Sequence, residues 1–337
     1  MIKKILIVAL KYSYGRRDFG PSINQGALID SLNTLGYTTN TIWIDEHSKD
    51  LLNKIILKEA NIFNPDLIFF KLFKNEINSE TLLKLKKIYK TINWFGDDQW
   101  RFNSFTKYYA NKFTFCITTD KFSIEKYKKL GIDKIFLSQH ASILPEQKFK
   151  KHNYIYDVSF VGTKSPYRDW FLKELKKRGI NCVCFGKGWS NGLVSYKEME
   201  KIFLSSKINL NICNSLSFDL RVNVYQPRNL LEILKSIFIG NRKIKSQIKA
   251  RNFEIPVFGG FQLTNYVPGL EDYLKIGEEV ACYSNIEDAF SQIIFFLNNE
   301  REREFIKTNS VIKARNKHTY LCRIKDIIEN INLYKEI

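Results

Sequence analysis

Short apolar runs of strand length alternate with amphipathic stretches of helix length from the start of the chain, and this alternation limits the possible folds more than any other feature. Residues 4–10 (KILIVAL), 38–44 (TTNTIWI), 65–73 (PDLIFFKLF) and 91–96 (TINWFG) read as strands. Between them, 23–36, 48–63 and 79–90 carry apolar residues at helical spacing. The first of these ends at Gly36, and the last opens on Ser79 with Glu80 in its first turn. FTFCITTD and KIFLSQHA read as two further strands around the helix KFSIEKYKKLG. A β–α unit repeated at this length predicts a parallel, doubly wound sheet that holds ligands beyond the carboxyl ends of its strands.

The pattern breaks near residue 150 at the polar, basic segment PEQKFKKHNY and restarts at 156–162 (YDVSFVG). A second β/α series then runs to about residue 318. A chain of 337 residues exceeds one hydrophobic core, so two domains are expected. The expected fold is α/β, two facing Rossmann-like domains across a cleft, an arrangement similar to the GT-B architecture. Its expected parts are an N-terminal domain at 1–150, a C-terminal domain at 151–318 and a terminal segment at 319–337. That segment carries Leu321, Ile324, Ile327, Ile328 and Ile331 on one helical face, and it is expected to cross back to the first domain. Residues 216–248 interrupt a β–α connection at a length few loops reach. A lid, a partner-docking segment and a packed excursion are all open readings of it.

Composition narrows the function classes. Apolar residues make up 44% and charged residues 26% of the chain, as in an ordinary globular protein. The apolar opening is too short for a membrane span of about 18 residues and lacks a small-residue cleavage site. A cytoplasmic location is therefore expected, with a peripheral place at the inner membrane face as its variant. The six cysteines form no C-x-x-C pair, and the four histidines form no H-x-x-x-H; buried thiols and no metal site are expected. The net charge of +18 implies attraction to polyanions: nucleic acid, anionic lipid or phosphorylated substrates. The cations are spread along the chain, which weakens the nucleic-acid reading, and a Lys-, Ile-, Asn- and Phe-rich composition alone would also produce them.

The densest chemical signal is KARNFEIPVFGGFQLTNYVPGLEDYL at 249–274. Asn252 to Phe258 are expected to make a short helix whose start suits a diphosphate. Lys249 and Arg251 add positive charge, and Glu254 can accept hydrogen bonds from two ribose hydroxyls. Gly259 and Gly260 allow a sharp turn or close backbone approach to a ligand, and Thr264 and Asn265 end the next strand. A buried turn carrying a surface Lys/Arg/Glu trio is the other reading. Gly162 and Thr163, with Lys164 and Arg168, form a second candidate phosphate-facing loop. Gly186 and Gly188 in CFGKGW bracket a nucleobase edge or simply turn the chain.

The segments VSFVGTKSPYRDWFLKEL, CFGKGW, KARNFEIPVFGGFQLTNYVPGLEDYL and HTYLCR together resemble the CgeB-like (spore-protein) glycosyltransferases of the GT-B fold. The likeness covers roughly residues 156 to 325. It implies a nucleotide-sugar donor held by the C-terminal domain, an acceptor held by the N-terminal domain, and metal-independent transfer with no cofactor beyond the donor. Glu254 stands where retaining GT-B enzymes place the second acid of their E-x7-E motif, while Ser246 stands at the first. In the N-terminal domain, Tyr14, Gly15, Arg16 and Arg17 follow the first strand, the position of the acceptor loop in GT-B enzymes. Asp97 and Asp98 end another strand, where an acid could deprotonate an acceptor hydroxyl; a solvated, capping pair is the alternative. His140 near the hinge either lines the cleft or is structural. The expected function is transfer of a sugar to an acceptor hydroxyl on a glycan, glycolipid, protein or modified nucleic-acid base. An anionic or membrane-surface acceptor fits the charge. A non-catalytic nucleotide- or polyanion-binding protein on the same scaffold is the competing reading.

Overall fold

The computed structural model describes residues 2–145, 153–238 and 246–334. The junction expected near residue 150 and the basic tail of the insertion at 239–245 lie outside the described residues. The chain forms two units, one of Met1–His140 with Tyr320–Ile337, the other of Ala141–Thr319.

Unit 1 holds strands β1 (Lys4–Ala9), β2 (Thr38–Trp43), β3 (Leu67–Lys71), β4 (Lys90–Phe95), β5 (Phe115–Thr118) and β6 (Ile135–Leu137) in one sheet. The sheet is parallel throughout, in the order β2-β1-β3-β4-β5-β6. Its helices are α1 (Ser31–Thr34), α2 (Lys49–Phe63), α3 (Ser79–Ile88), α4 (Asp98–Arg101), α5 (Lys107–Tyr109) and α6 (Ile124–Lys128). A π-helical turn, Gln25–Asp30, leads into α1. The apolar run of β1 serves both faces because its side chains alternate. Leu6, Val8 and Leu10 pack with Leu52, Ile56 and Ala60 of α2. Ile5, Ile7 and Ala9 are as deeply buried on the opposite face.

Unit 2 carries β7 (Tyr156–Val161), β8 (Cys182–Phe185), β9 (Ser206–Asn211), β10 (Gln262–Asn265) and β11 (Ala281–Tyr283), again parallel, in the order β11-β10-β9-β7-β8. Read from β7 onward this is the 2-1-3-4-5 order of doubly wound sheets. The helices are α7 (Pro166–Lys177), α8 (Tyr196–Leu204), α9 (Leu220–Tyr225), α10 (Arg228–Phe238), α11 (Arg251–Val257), α12 (Ile286–Asn298) and α13 (Glu300–Lys317). The insertion between β9 and α11 contributes α9 and α10, which pack on α7. The last helix, α14 (Tyr320–Leu333), crosses back and belongs to unit 1. It buries Ile324, Ile327, Ile328 and Ile331 and packs against α1 and the preceding π-turn.

Candidate functional site

In each unit the strand order reverses at one point, between β1 and β3 and between β7 and β9. Loops diverge beyond the carboxyl ends of such strands and leave room for a ligand. In unit 2 this point gathers Gly162 and Thr163 after β7, Cys213 after β9, and Thr264 and Asn265 at the end of β10. Arg168 does not reach outward as expected. Its Nε and Nη2 donate to the Ile212 carbonyl at 3.0 and 2.7 Å, and its Nη1 donates to the Thr163 carbonyl at 2.9 Å. It laces the two loops together. Asn265 does the same for β9 and β10, its Oδ1 accepting from the Cys213 N–H at 2.7 Å. Thr264 is buried, and its hydroxyl accepts from Asn252 at 3.2 Å.

Gly186 is required by close approach. Its φ is +121°, and a Cβ there would lie 2.4 Å from the Gly162 carbonyl oxygen. The loops after β7 and β8 therefore abut through bare backbone. Trp189 Nε1 donates to that same oxygen at 2.8 Å, and the Lys164 ammonium lies 5.0 Å from the Trp189 ring centroid. Lys164 also pairs with Asp169 at 3.1 Å. At the end of β9 the Asn211 side-chain amide nitrogen is buried and finds no partner among the described residues. Such a donor is costly unless something accepts from it.

Glu254 is buried in the first turns of α11. Its Oε2 receives Arg251 Nη1 at 2.7 Å and its Oε1 receives the Tyr196 hydroxyl. Arg251 itself lies 5.3 Å from the Phe203 ring centroid. The expected division of labour, arginine for phosphate and glutamate for ribose, is thus replaced by an internal ion pair. A carboxylate offers about four lone-pair sites, so Glu254 retains capacity for a further donor. The Lys249 N–H donates to Asn252 Oδ1 at 2.9 Å, fixing the entry to α11. Gly259 and Gly260 are buried. Gly259, with φ +88°, ends α11, and a Cβ on Gly260 would fall 2.6 Å from Asn209 Nδ2. The close approach at Gly260 is to the protein's own β9. Ser246, at the place of the first motif acid, accepts from Asn214 Nδ2 at 3.0 Å.

In unit 1, Asp98 lies inside the core. It is 1% exposed, and it accepts from Thr106, Thr118 and Tyr127 hydroxyls at 2.6, 2.6 and 2.7 Å. Burial lifts its carboxyl to about 6 against the opposing pull of those three donors. With both oxygens enclosed it cannot meet an acceptor hydroxyl. Asp97, the neighbouring acid, is half-buried at the carboxyl end of β4. His140 Nε2 lies 3.0 Å from the Gly96 carbonyl just before it, and an N–H on that nitrogen makes the bond. The loop after β1 is tied to the turn after β2: the Lys11 and Tyr12 N–H groups both donate to the Asp45 carboxylate at 2.8 Å. Tyr14 and Gly15 take left-handed φ values of 58° and 68°. Arg16 forms a two-bonded pair with Asp18 at 2.9 and 2.7 Å, and the Arg17 guanidinium lies 5.6 Å from the Tyr12 ring centroid.

Three side chains escaped sequence reasoning, Asn211 among them. Lys71 ends β3 at the reversal point, its ammonium 5.7 and 5.8 Å from the ring centroids of Trp94 and Tyr320. Burial lowers it to about 8, partly countered by Asp97. A lone lysine in the run LIFFKLF was its signal. Tyr196, the partner of Glu254, gave none. Among the described residues no group of three or more His, Cys, Asp or Glu side chains is placed to hold a metal ion.

Residues 168–329 match the model of a family described as glycosyl transferase-like. No curated protein matches the chain by sequence. Among solved structures, Anabaena Alr3699/HepE in complex with UDP and glucose aligns at a TM-score of 0.62 and 10% identity, over 99% of this chain and 100% of its own. A Rickettsia africae glycosyltransferase aligns at 0.56 and 12%, over 99% and 100%. T4 phage BGT with its UDP-glucose substrate aligns at 0.55 and 12%, over 97% and 98%. At such identities the likeness speaks for the fold, and that fold is GT-B.

Proposed function

We propose that this protein is a glycosyltransferase that moves a sugar from a nucleotide-sugar donor, specifically a UDP-sugar, onto an acceptor hydroxyl. The observation that carries this reading is the place of the unpartnered Asn211 donor. It sits at the reversal point of unit 2, inside the stretch matched by the glycosyl transferase-like family. The structural neighbours solved with UDP or UDP-glucose support the choice of donor. In this reading the Gly186–Trp189 loop meets the base, and Glu254, held by Tyr196 and Arg251, accepts from the ribose. Asn211 and the ammonium groups of Lys164 and Lys249 receive the diphosphate. The acceptor oxygen bonds to the anomeric carbon while the bond from that carbon to the diphosphate oxygen breaks, and the hydroxyl proton passes to the Asp97 carboxylate. Charge grows on the leaving diphosphate, and fixed donors and cations stabilise it. Unit 1 takes the acceptor, with the loop at Tyr14–Arg17 and with Asp97, not Asp98, as the acid open to a hydroxyl.

The test is thermal unfolding across a panel of nucleotides and nucleotide sugars, followed by donor hydrolysis. A ligand that binds only the folded chain raises its stability by about 2.7 kcal/mol at a hundredfold excess over Kd. UDP is expected to raise the midpoint, and Glu254→Ala and Arg251→Ala to reduce both that shift and slow UDP-sugar hydrolysis at least tenfold. No shift with any nucleotide would sink the proposal.

A further inference from the structure

The helix α10 is amphipathic, but turned the wrong way round for a globular surface. Its buried residues are Asn229, Ile233 and Ser236, spaced along one face. Leu230, Leu231, Leu234, Ile237 and Phe238 are all exposed, Phe238 at 87%. At about 100° per residue these five occupy roughly a third of the helix circumference. α9 continues the pattern: Leu220 and Val224, one turn apart, are 77% and 83% exposed, whereas Val222 between them is buried. A surface helix normally turns such a stripe inward, and a contiguous exposed apolar patch marks an interaction site.

Charge indicates what covers it. The chain carries +18, and cations outnumber acids on the two helices that frame the patch. α10 has Arg228 and Lys235 against Glu232, and α7, beneath α9 and α10, has Lys173, Lys176 and Lys177 against Asp169 and Glu174, its Arg168 being turned inward. Lys173, Lys176 and Lys177 are exposed. At 1.5 Å per residue α10 is about 16 Å long, half of a hydrocarbon core of about 30 Å. Among the described residues no helix is long and apolar enough to cross a membrane. Leucine, isoleucine and phenylalanine on one side with cations beside them is the composition of a helix lying in the plane of a lipid interface.

We propose that the α9–α10 insertion seats this protein on an anionic lipid bilayer, the apolar stripe entering the interface and the cations of α7 and α10 meeting the headgroups. The proposal does not depend on the sugar-transfer reading. Its test is flotation of the full chain with vesicles of phosphatidylglycerol and phosphatidylcholine, beside vesicles of phosphatidylcholine alone. Expected are binding to the anionic vesicles, weaker binding to the neutral ones, and at least a tenfold loss in the Leu231→Ser/Phe238→Ser double variant with an unchanged melting midpoint. Should the double variant not fold, Leu231→Asn alone gives the same reading. Absence of binding, equal binding to neutral vesicles, or full binding by the variant would each overturn the proposal. The last would assign attachment to bulk charge. A wild-type dimer by light scattering that becomes monomeric in the variant, without vesicle binding, would assign the stripe to a second copy of the chain.

Discussion

Asp98 holds a carboxylate where water does not reach, and only three hydroxyl donors make that tolerable. Its folded value of about 6 stands above the ordinary 3.8. Between these two pH values the folded chain retains the proton more firmly than the unfolded one. The stabilisation is therefore complete below about 3.8 and is lost as pH rises through about 6. Replacing Asp98 with Asn should flatten the fall in melting midpoint between pH 4 and 7. An unchanged slope would show that the carboxyl is not the group responsible. The sequence could not separate this acid from Asp97. The two are adjacent, and what distinguishes them comes from residues 106, 118 and 127, brought in by the fold. Gly259 and Gly260 were ambiguous for the same reason, since Asn209, against which Gly260 rests, lies some fifty positions away in the chain.

At the scale of elements, α8 shows how a local motif can govern a distant group. Ser195 and Glu198 form a reciprocal cap at its start, and the next residue, Tyr196, delivers its hydroxyl to Glu254. Losing such a cap costs about 0.5–2 kcal/mol. Ser195→Ala should therefore lower the melting midpoint and also weaken nucleotide binding, while leaving Glu254 itself in place. Isothermal titration with UDP checks the second effect; unaltered affinity would confine the cap to stability. The strands were legible because buried parallel strands read as near-continuous apolar runs, as at Lys4–Ala9 and Leu67–Lys71. The helix around Glu254, expected over 252–258, is found at Arg251–Val257. The segment 98–112 was not legible, because it folds as short α, π and 3-10 turns in succession and carries no single period.

At the scale of the molecule, the two units repeat one sheet order around two reversal points, and in unit 2 Asn211 ends β9 with a buried donor that finds no partner among the described residues. If the donor nucleotide binds there, hydrogen exchange with UDP present should slow at residues 162–165, 186–189 and 251–254 and leave β1 to β6 unchanged. Local opening is what such exchange reports, so protection confined to unit 1 would reverse the assignment of roles. The membership of α14 in unit 1 has a further consequence, in time. Unit 2 is one uninterrupted stretch, whereas unit 1 needs residues 320–333, which pack on α1 and the preceding π-turn. On the ribosome, where domains form as they emerge, the half of the protein made first is the half completed last, and it waits without its final helix while its successor is synthesised.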